Sequence, residues 1–208
     1  LYHVERMNEE SANALLKVME EPPEGVLFLL TADSLASVLP TIRSRCVSFA
    51  VAPVSPADCT RYCAAQGVDK KTAALYSELF DGHIGTVLAV ARDEARAAQV
   101  EKALELARAA AARDSYTAAV LLAAYEKDKA AAAALLTDFR AVAAAGLRSS
   151  PRAPVQGTQA RQAVRLADAA LQRLGAQVNP KVVLSVFAAK LRTCLLYTSP
   201  SPRDRSVS

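Results

Sequence analysis

Tryptophan is absent from this 208-residue chain, histidine and methionine occur twice each, and aromatic residues make up 5% of it. Long hydrophobic runs are missing as well. The alanine-rich stretches are interrupted by Arg, Glu, Asp and Lys, so no segment is expected to span a bilayer. No block of like charge occurs: 25 basic and 21 acidic residues are interspersed and leave a net charge of +4, which does not point to nucleic-acid binding by charge alone. Cys46, Cys59, Cys63 and Cys194 form no C-x-x-C pair and have no histidine nearby at metal spacing, so neither a zinc centre nor a disulfide framework is supported. Reduced, structural thiols are expected. The first residues lack the basic-then-apolar layout of a secretory signal and begin at Leu1, which leads to the expectation of a cytoplasmic fragment. What is present is an ordinary soluble composition, 52% hydrophobic and 22% charged, in a length suited to one or two domains.

Residues 9–20 carry Ala12, Leu15, Leu16 and Met19 at spacings of three and four, an apolar stripe that predicts an amphipathic helix ended by Pro22-Pro23. Val26 to Thr31 is a short unbroken apolar run after Gly25, the pattern of a strand covered on both faces. A turn or short helix is expected over residues 40–45. In residues 46–51 Val47, Phe49 and Val51 alternate with small residues, which predicts a second strand. Two strands cannot bury a sheet by themselves, so a truncated N-terminus is expected.

The character changes at Pro53. Ser55-Pro56-Ala57-Asp58 is a helix start, with Ser as N-cap, Pro at the first position and Asp in the first turn. Short helices are expected at about 56–66, 70–80 and 84–95, then an alanine-rich helical region over 98–147, because alanine is the best helix former. Arg148 to Thr158 reads as a linker, followed by helices at about 159–174 and 181–192. Stripes such as Leu166, Ala170 and Leu174 suit either a core or a face shared with another subunit. From Cys194 the chain reads CLLYTSPSPRD, without periodicity, and resembles the translation of a transposase adapter used in sequencing libraries. Residues 194–208 are therefore read as an adapter artefact or a disordered tail and set aside from the fold.

Three separated motifs carry a family resemblance: NALLKVMEEPP at 13–23, LFLLT at 27–31 and LPTIRSRC at 39–46. In this order and spacing they resemble the bacterial DNA polymerase III clamp-loader subunits of the AAA+ family, strongly over residues 7–51 and more loosely to residue 193. The resemblance implies an α/β fold class for residues 1–53, the C-terminal part of a parallel-sheet AAA+ core. An all-α lid over 54–112 and an all-α collar for oligomerisation over 113–193 are implied to follow. Within the family, three departures favour the delta-prime type over the ATP-hydrolysing gamma/tau type. Before Met7, where a motor subunit carries acidic Walker B residues, the chain reads Tyr2-His3-Val4-Glu5, with one acidic residue out of register. Residues Asp81 to Thr86 stand where a motor subunit has a phosphate-sensing arginine, and no arginine follows until Arg92. Ser37 to Ile42 also resembles the delta-prime phrase more than the motor's.

Such a subunit is implied to be no enzyme by itself and to bind no cofactor, ATP and Mg being held by a neighbouring subunit. Its implied partners are the gamma/tau and delta subunits and, through the assembled complex, the sliding clamp and primed DNA, with no membrane. Arg45, within Ser44-Arg45-Cys46, is implied to be an arginine finger that stabilises charge on the phosphoryl group transferred at the neighbour's site; taken bare, it is a solvated surface residue. Thr31 is a weak sensor-like candidate, otherwise a strand-end hydroxyl satisfying backbone groups. Arg43 suits a DNA phosphate or water equally. Lys17 and Glu20 are placed for a surface ion pair, and His3 and His83 lack evident partners. The alternative is a gamma/tau ATPase whose phosphate-binding G-x-x-x-x-G-K-[ST] loop lies upstream.

Overall fold

The computed structural model describes residues 1–196, with side chains described to residue 192. The tail set aside at 194–208 thus lies outside the described residues, apart from the helical backbone of its first three positions. The chain divides into two compact units, residues 1–52 and residues 53 onward.

In the first unit, α1 (Glu9–Glu20) starts where the Asn8 side chain accepts the Ser11 N–H at 2.8 Å, and Glu9 and Glu10 in its first turn complement the helix dipole. Its apolar stripe turns Ala12 and Leu15 inward against Val4, Val38 and Ile42, with Met19, Phe28, Leu30 and Cys46 packed on them. Single 3₁₀ turns at Val4–Arg6 and Leu35–Ser37 and the short α2 (Pro40–Arg43) complete this unit.

The expected parallel sheet is not there. The described residues contain no strand, and their regular structure is entirely helical, so the α/β core is corrected to an all-helical fold. The physical reason is the supply of partners: an extended segment becomes a strand only through a ladder of bonds to a neighbour. Around residues 27–31 there are three such bonds, all to the chain start. The Leu1 amino group donates to Leu29 O at 2.7 Å, the Thr31 N–H to Leu1 O at 3.0 Å, and the Val4 N–H to Thr31 O at 3.1 Å. Among the described residues, 47–51 make no backbone hydrogen bond at all. The run expected to be covered on both faces is covered on one: Phe28 and Leu30 pack inward, while Leu27 is 90% exposed. Val47, Phe49 and Val51 stand in solvent, Phe49 at 84%.

The second unit holds α3 (Pro56–Ala65), α4 (Lys70–Leu79), α5 (Ile84–Arg92), α6 (Glu94–Ala111), α7 (Ser115–Ala123), α8 (Lys129–Leu147), α9 (Gly157–Gly175) and α10 (Pro180–Leu196). Ser55 Oγ accepts the Asp58 N–H at 3.1 Å, the N-cap expected from the sequence, and Asp69, Asp93, Asp114 and Asp128 likewise cap α4, α6, α7 and α8. Within the alanine-rich region of 98–147, α6, α7 and α8 are separated where Asp114 and Asp128 cap new helices. Cys59 and Cys63, one turn apart on α3, are fully buried beside Ala73, Leu79, Val87 and Val90. Burial, then the neighbouring Cys59, pushes the Cys63 thiol up to about 11, as suits a structural thiol. Buried side chains form one continuous cluster from Cys59 to Leu191, centred on Phe139 and Phe187, whose rings meet edge to face at 5.5 Å.

Two sequence expectations change here. Residues 148–158 are not a loose linker. Val155 is fully buried, Ser150 Oγ donates to Glu78 Oε2 at 2.6 Å, Arg152 Nε to Glu78 Oε1 at 3.0 Å, and Arg148 Nη2 to Leu79 O at 3.2 Å. The segment thereby pins the end of α4 to the α8–α9 pair. At Gly146 the backbone of Val155 comes so close that an added Cβ would lie 1.9 Å from its carbonyl oxygen, so only glycine fits. Helix α8, moreover, is long and apolar enough by length and composition to cross a membrane, contrary to the expectation that no segment is. Half of that stretch is buried in the bundle, and its Asp138, 2% exposed, pairs with both Nη atoms of Arg96 on α6 and accepts from Gln99 Nε2 at 3.0 Å. Half-buried and ion-paired to α6, α8 is packed as a core helix of the bundle.

Candidate functional site around Arg45

Pro40 opens α2 with its φ preset for the first helical position, and Ile42, 1% exposed, anchors the turn in the first unit's core. After Arg43 the backbone closes tightly: Ser44 N–H donates to Pro40 O at 2.9 Å, Arg45 N–H to Ile42 O at 3.1 Å, and Cys46 N–H to Arg43 O at 3.3 Å. Ser44 Oγ donates to Thr41 O at 3.0 Å, while the half-buried Cys46 packs on the core beside α1. Serine and cysteine therefore hold the turn, and the residue between them is delivered to the surface.

The Arg45 guanidinium is fixed at two points. Nη1 donates to Thr41 O at 3.1 Å, and Nη2 is ion-paired with Oε1 of Glu20, the last residue of α1. Both side chains are open to solvent, Arg45 at 39% and Glu20 at 49%. A guanidinium carries five N–H donors in a planar fork, so this one keeps donors available to a bidentate acceptor such as a phosphate. Sequence spacing pointed Glu20 toward Lys17; the structure gives it to Arg45 instead. No local signal reveals a partner 25 positions away.

The remaining candidates are elsewhere. Thr31 is exposed and held by its backbone alone, so it does not end a buried strand. Arg43 points to solvent on the last turn of α2. His83 has a partner after all, Phe80 O at 2.7 Å from Nδ1. So does His3: its Nδ1 lies 3.2 Å from Glu5 Oε1 and 3.7 Å from Asp33 Oδ1, and ligand atoms of the three lie within 4.8 Å of one another. The Glu5 carboxyl is held below its usual range, chiefly by a hydrogen bond from its own backbone N–H, helped by His3, and its Oε2 is buried without a partner. Residues i and i+2 carry no pattern that announces this grouping, and Asp33 joins it only through the fold.

The stretch that holds Arg45 is also where the chain resembles known proteins. A family model described as DNA polymerase III, delta subunit, matches residues 1–55. The DNA polymerase III subunit delta' of Yersinia pestis is 45% identical over 62 residues, 30% of this chain and 18% of that protein. The subunit delta' of Haemophilus influenzae is 62% identical over 42 residues, 20% of this chain and 13% of its own length. The DNA polymerase III subunit gamma of Buchnera aphidicola is 40% identical over 55 residues, 26% of this chain and 15% of that protein. The chain thus spans less than a fifth of the length of the relatives it matches. Residues 1–55 are thus similar to DNA polymerase III subunits, among them several named delta'.

Proposed function

We propose that the chain serves DNA replication as a non-catalytic clamp-loader subunit, helping to place the sliding clamp on primed DNA and donating Arg45 in trans to ATP and Mg held by a neighbouring gamma/tau subunit, with delta as a further partner. The observation that carries this reading is the delivery of Arg45. A guanidinium sits on the surface of a turn that Ser44 closes and Cys46 anchors, inside the stretch shared with subunits of that name. Such a cation, placed against a transferring phosphoryl group, stabilises the charge that develops on its oxygens. This chain's own part is to hold the guanidinium at the right height on a rigid turn; the neighbour binds the nucleotide.

The test is Arg45→Ala in a reconstituted loader whose assembly is checked by gel filtration. At the nucleotide site that Arg45 serves, loss of a finger is expected to slow hydrolysis on the order of 10³-fold, so the ring's DNA-stimulated ATPase and clamp loading fall by that site's share. Unchanged rates in a fully assembled ring refute the assignment.

The similarity to the Buchnera gamma subunit favours a second reading, a motor subunit with its own phosphate-binding loop upstream of Leu1. Long-read sequencing across the locus decides it: a G-x-x-x-x-G-K-[ST] loop with acidic Walker B residues in frame makes this an ATPase.

A further inference from the structure

Both terminal nitrogens of the Arg45 guanidinium already have a partner on this chain. One nitrogen donates to Thr41 O and the other is paired with the Glu20 carboxylate, so the finger is docked on its own chain at the end of α1. A carboxylate and a phosphate present the same geometry to a guanidinium, two acceptor oxygens in a plane. The two ligands therefore compete for one fork. We propose that Glu20 is a positioning residue that parks Arg45 away from the neighbour's nucleotide, and that engagement of the terminal phosphate proceeds by exchange of the Glu20 carboxylate for a phosphate oxygen. This rests on the reading of Arg45 as a trans finger.

The geometry supports a latch that opens easily. Glu20 and Arg45 are each substantially exposed, so their attraction is weakened by water and by salt. The Thr41 carbonyl, a backbone acceptor on the same turn, keeps hold of Nη1 while Nη2 changes partner, so the side chain needs to pivot and not to unfold. Ile42 and Cys46 hold the turn beneath it in place throughout. Glu20 itself sits on the last turn of α1, directly before the Glu21-Pro22-Pro23 break that ends the helix.

The experiment is Glu20→Gln in the reconstituted loader, with ATPase measured without DNA and with saturating primed DNA, over a range of salt. An exposed ion pair shifts a two-state balance by about two- to fivefold. The DNA-independent rate is therefore expected to rise two- to fivefold in Glu20→Gln, and the stimulation by primed DNA to shrink correspondingly. Raising the salt should increase the DNA-independent rate of the unmodified loader and leave that of Glu20→Gln nearly flat, a difference that a merely structural role would not produce. The double variant Glu20→Gln, Arg45→Ala should match Arg45→Ala alone. If Arg45→Ala lowers the rate and Glu20→Gln leaves it unchanged or also lowers it, the parking role is refuted and the finger stands. If Arg45→Ala itself changes nothing, the finger reading fails and the latch fails with it.

Discussion

The pair between Arg96 and Asp138 makes an asymmetric prediction that the structure scales. Asp138 is 2% exposed on α8 and takes both Nη atoms of Arg96 and the amide of Gln99, whereas the Arg96 side chain remains 32% exposed. The hydrogen bond to Asp138, before the Coulombic attraction, holds the Arg96 guanidinium above its usual value, against a desolvation that works the other way. Removing the cation with Arg96→Ala strands a buried carboxylate that keeps only the Gln99 amide. Such a loss costs about 3–5 kcal/mol. Removing the anion with Asp138→Ala strands a guanidinium that water reaches, and the cost falls to about 1–3 kcal/mol, that of a polar group left unsatisfied. Replacing both, Arg96→Met with Asp138→Leu, exchanges an ion pair for apolar packing and should restore most of the stability. The assay is guanidinium chloride unfolding of the full chain followed by helical circular dichroism, to which α3–α10 contribute most of the helical residues, with midpoint temperatures as a second measure. For a chain of this size Arg96→Ala should lower Tm by about 10 °C. Equal losses in the two single variants, or a double variant worse than either, would refute the reasoning from burial.

Two further outcomes follow from backbone and caps. Gly146→Ala places a methyl group on the carbonyl of Val155 and should cost about 1–3 kcal/mol by overpacking, read as a lower unfolding midpoint together with faster amide exchange in residues 148–158. The Asp69 and Asp114 carboxyls are held below their usual value, Asp69 first by the Thr72 backbone N–H and Asp114 first by the Thr117 hydroxyl. A depressed folded value means that their stabilisation is in full force above the unfolded carboxyl range and is lost as pH falls below about 3.8. In unfolding curves taken from pH 5 down to pH 2.5, Asp69→Asn and Asp114→Asn should flatten the acid-side slope.

What the sequence revealed and what it hid divide by the range of the interaction. The start of α3 was legible because a cap is a matter of three residues: Ser55 before Asp58 acts within one turn, and α3 begins where that side chain sits. The turn around Arg45 was legible as well, since Ser44, Arg45 and Cys46 are consecutive and each finds its backbone partner within four positions. The two extended runs were misread because hydrophobicity describes a segment's appetite for cover and says nothing of whether a neighbour supplies it. VLFLLT has the composition of a sheet interior, yet apart from the Val26 N–H on Pro23 O its backbone bonds go to the chain start, and its Leu27 is open to water.

Charge was hidden for the same reason, with functional consequences. Lys17 and Glu20 satisfy the helical spacing rule, but a rule about one helix has no knowledge of α2, which delivers a better partner to the end of α1. Arg45 reaches Glu20 Oε1 through Nη2 while Thr41 O holds Nη1, so the guanidinium joins α1 to its own turn at two points. The residue whose chemistry the shared motif made easiest to name is thus the one whose present state, docked on its own chain, only the packing of α1 against the turn reveals. On the proposed reading of Arg45, a guanidinium docked on its own chain differs from one in solvent: its engagement with a phosphate costs the breaking of an exposed ion pair, so salt should affect an assembled loader through this chain even where it leaves the nucleotide site unchanged.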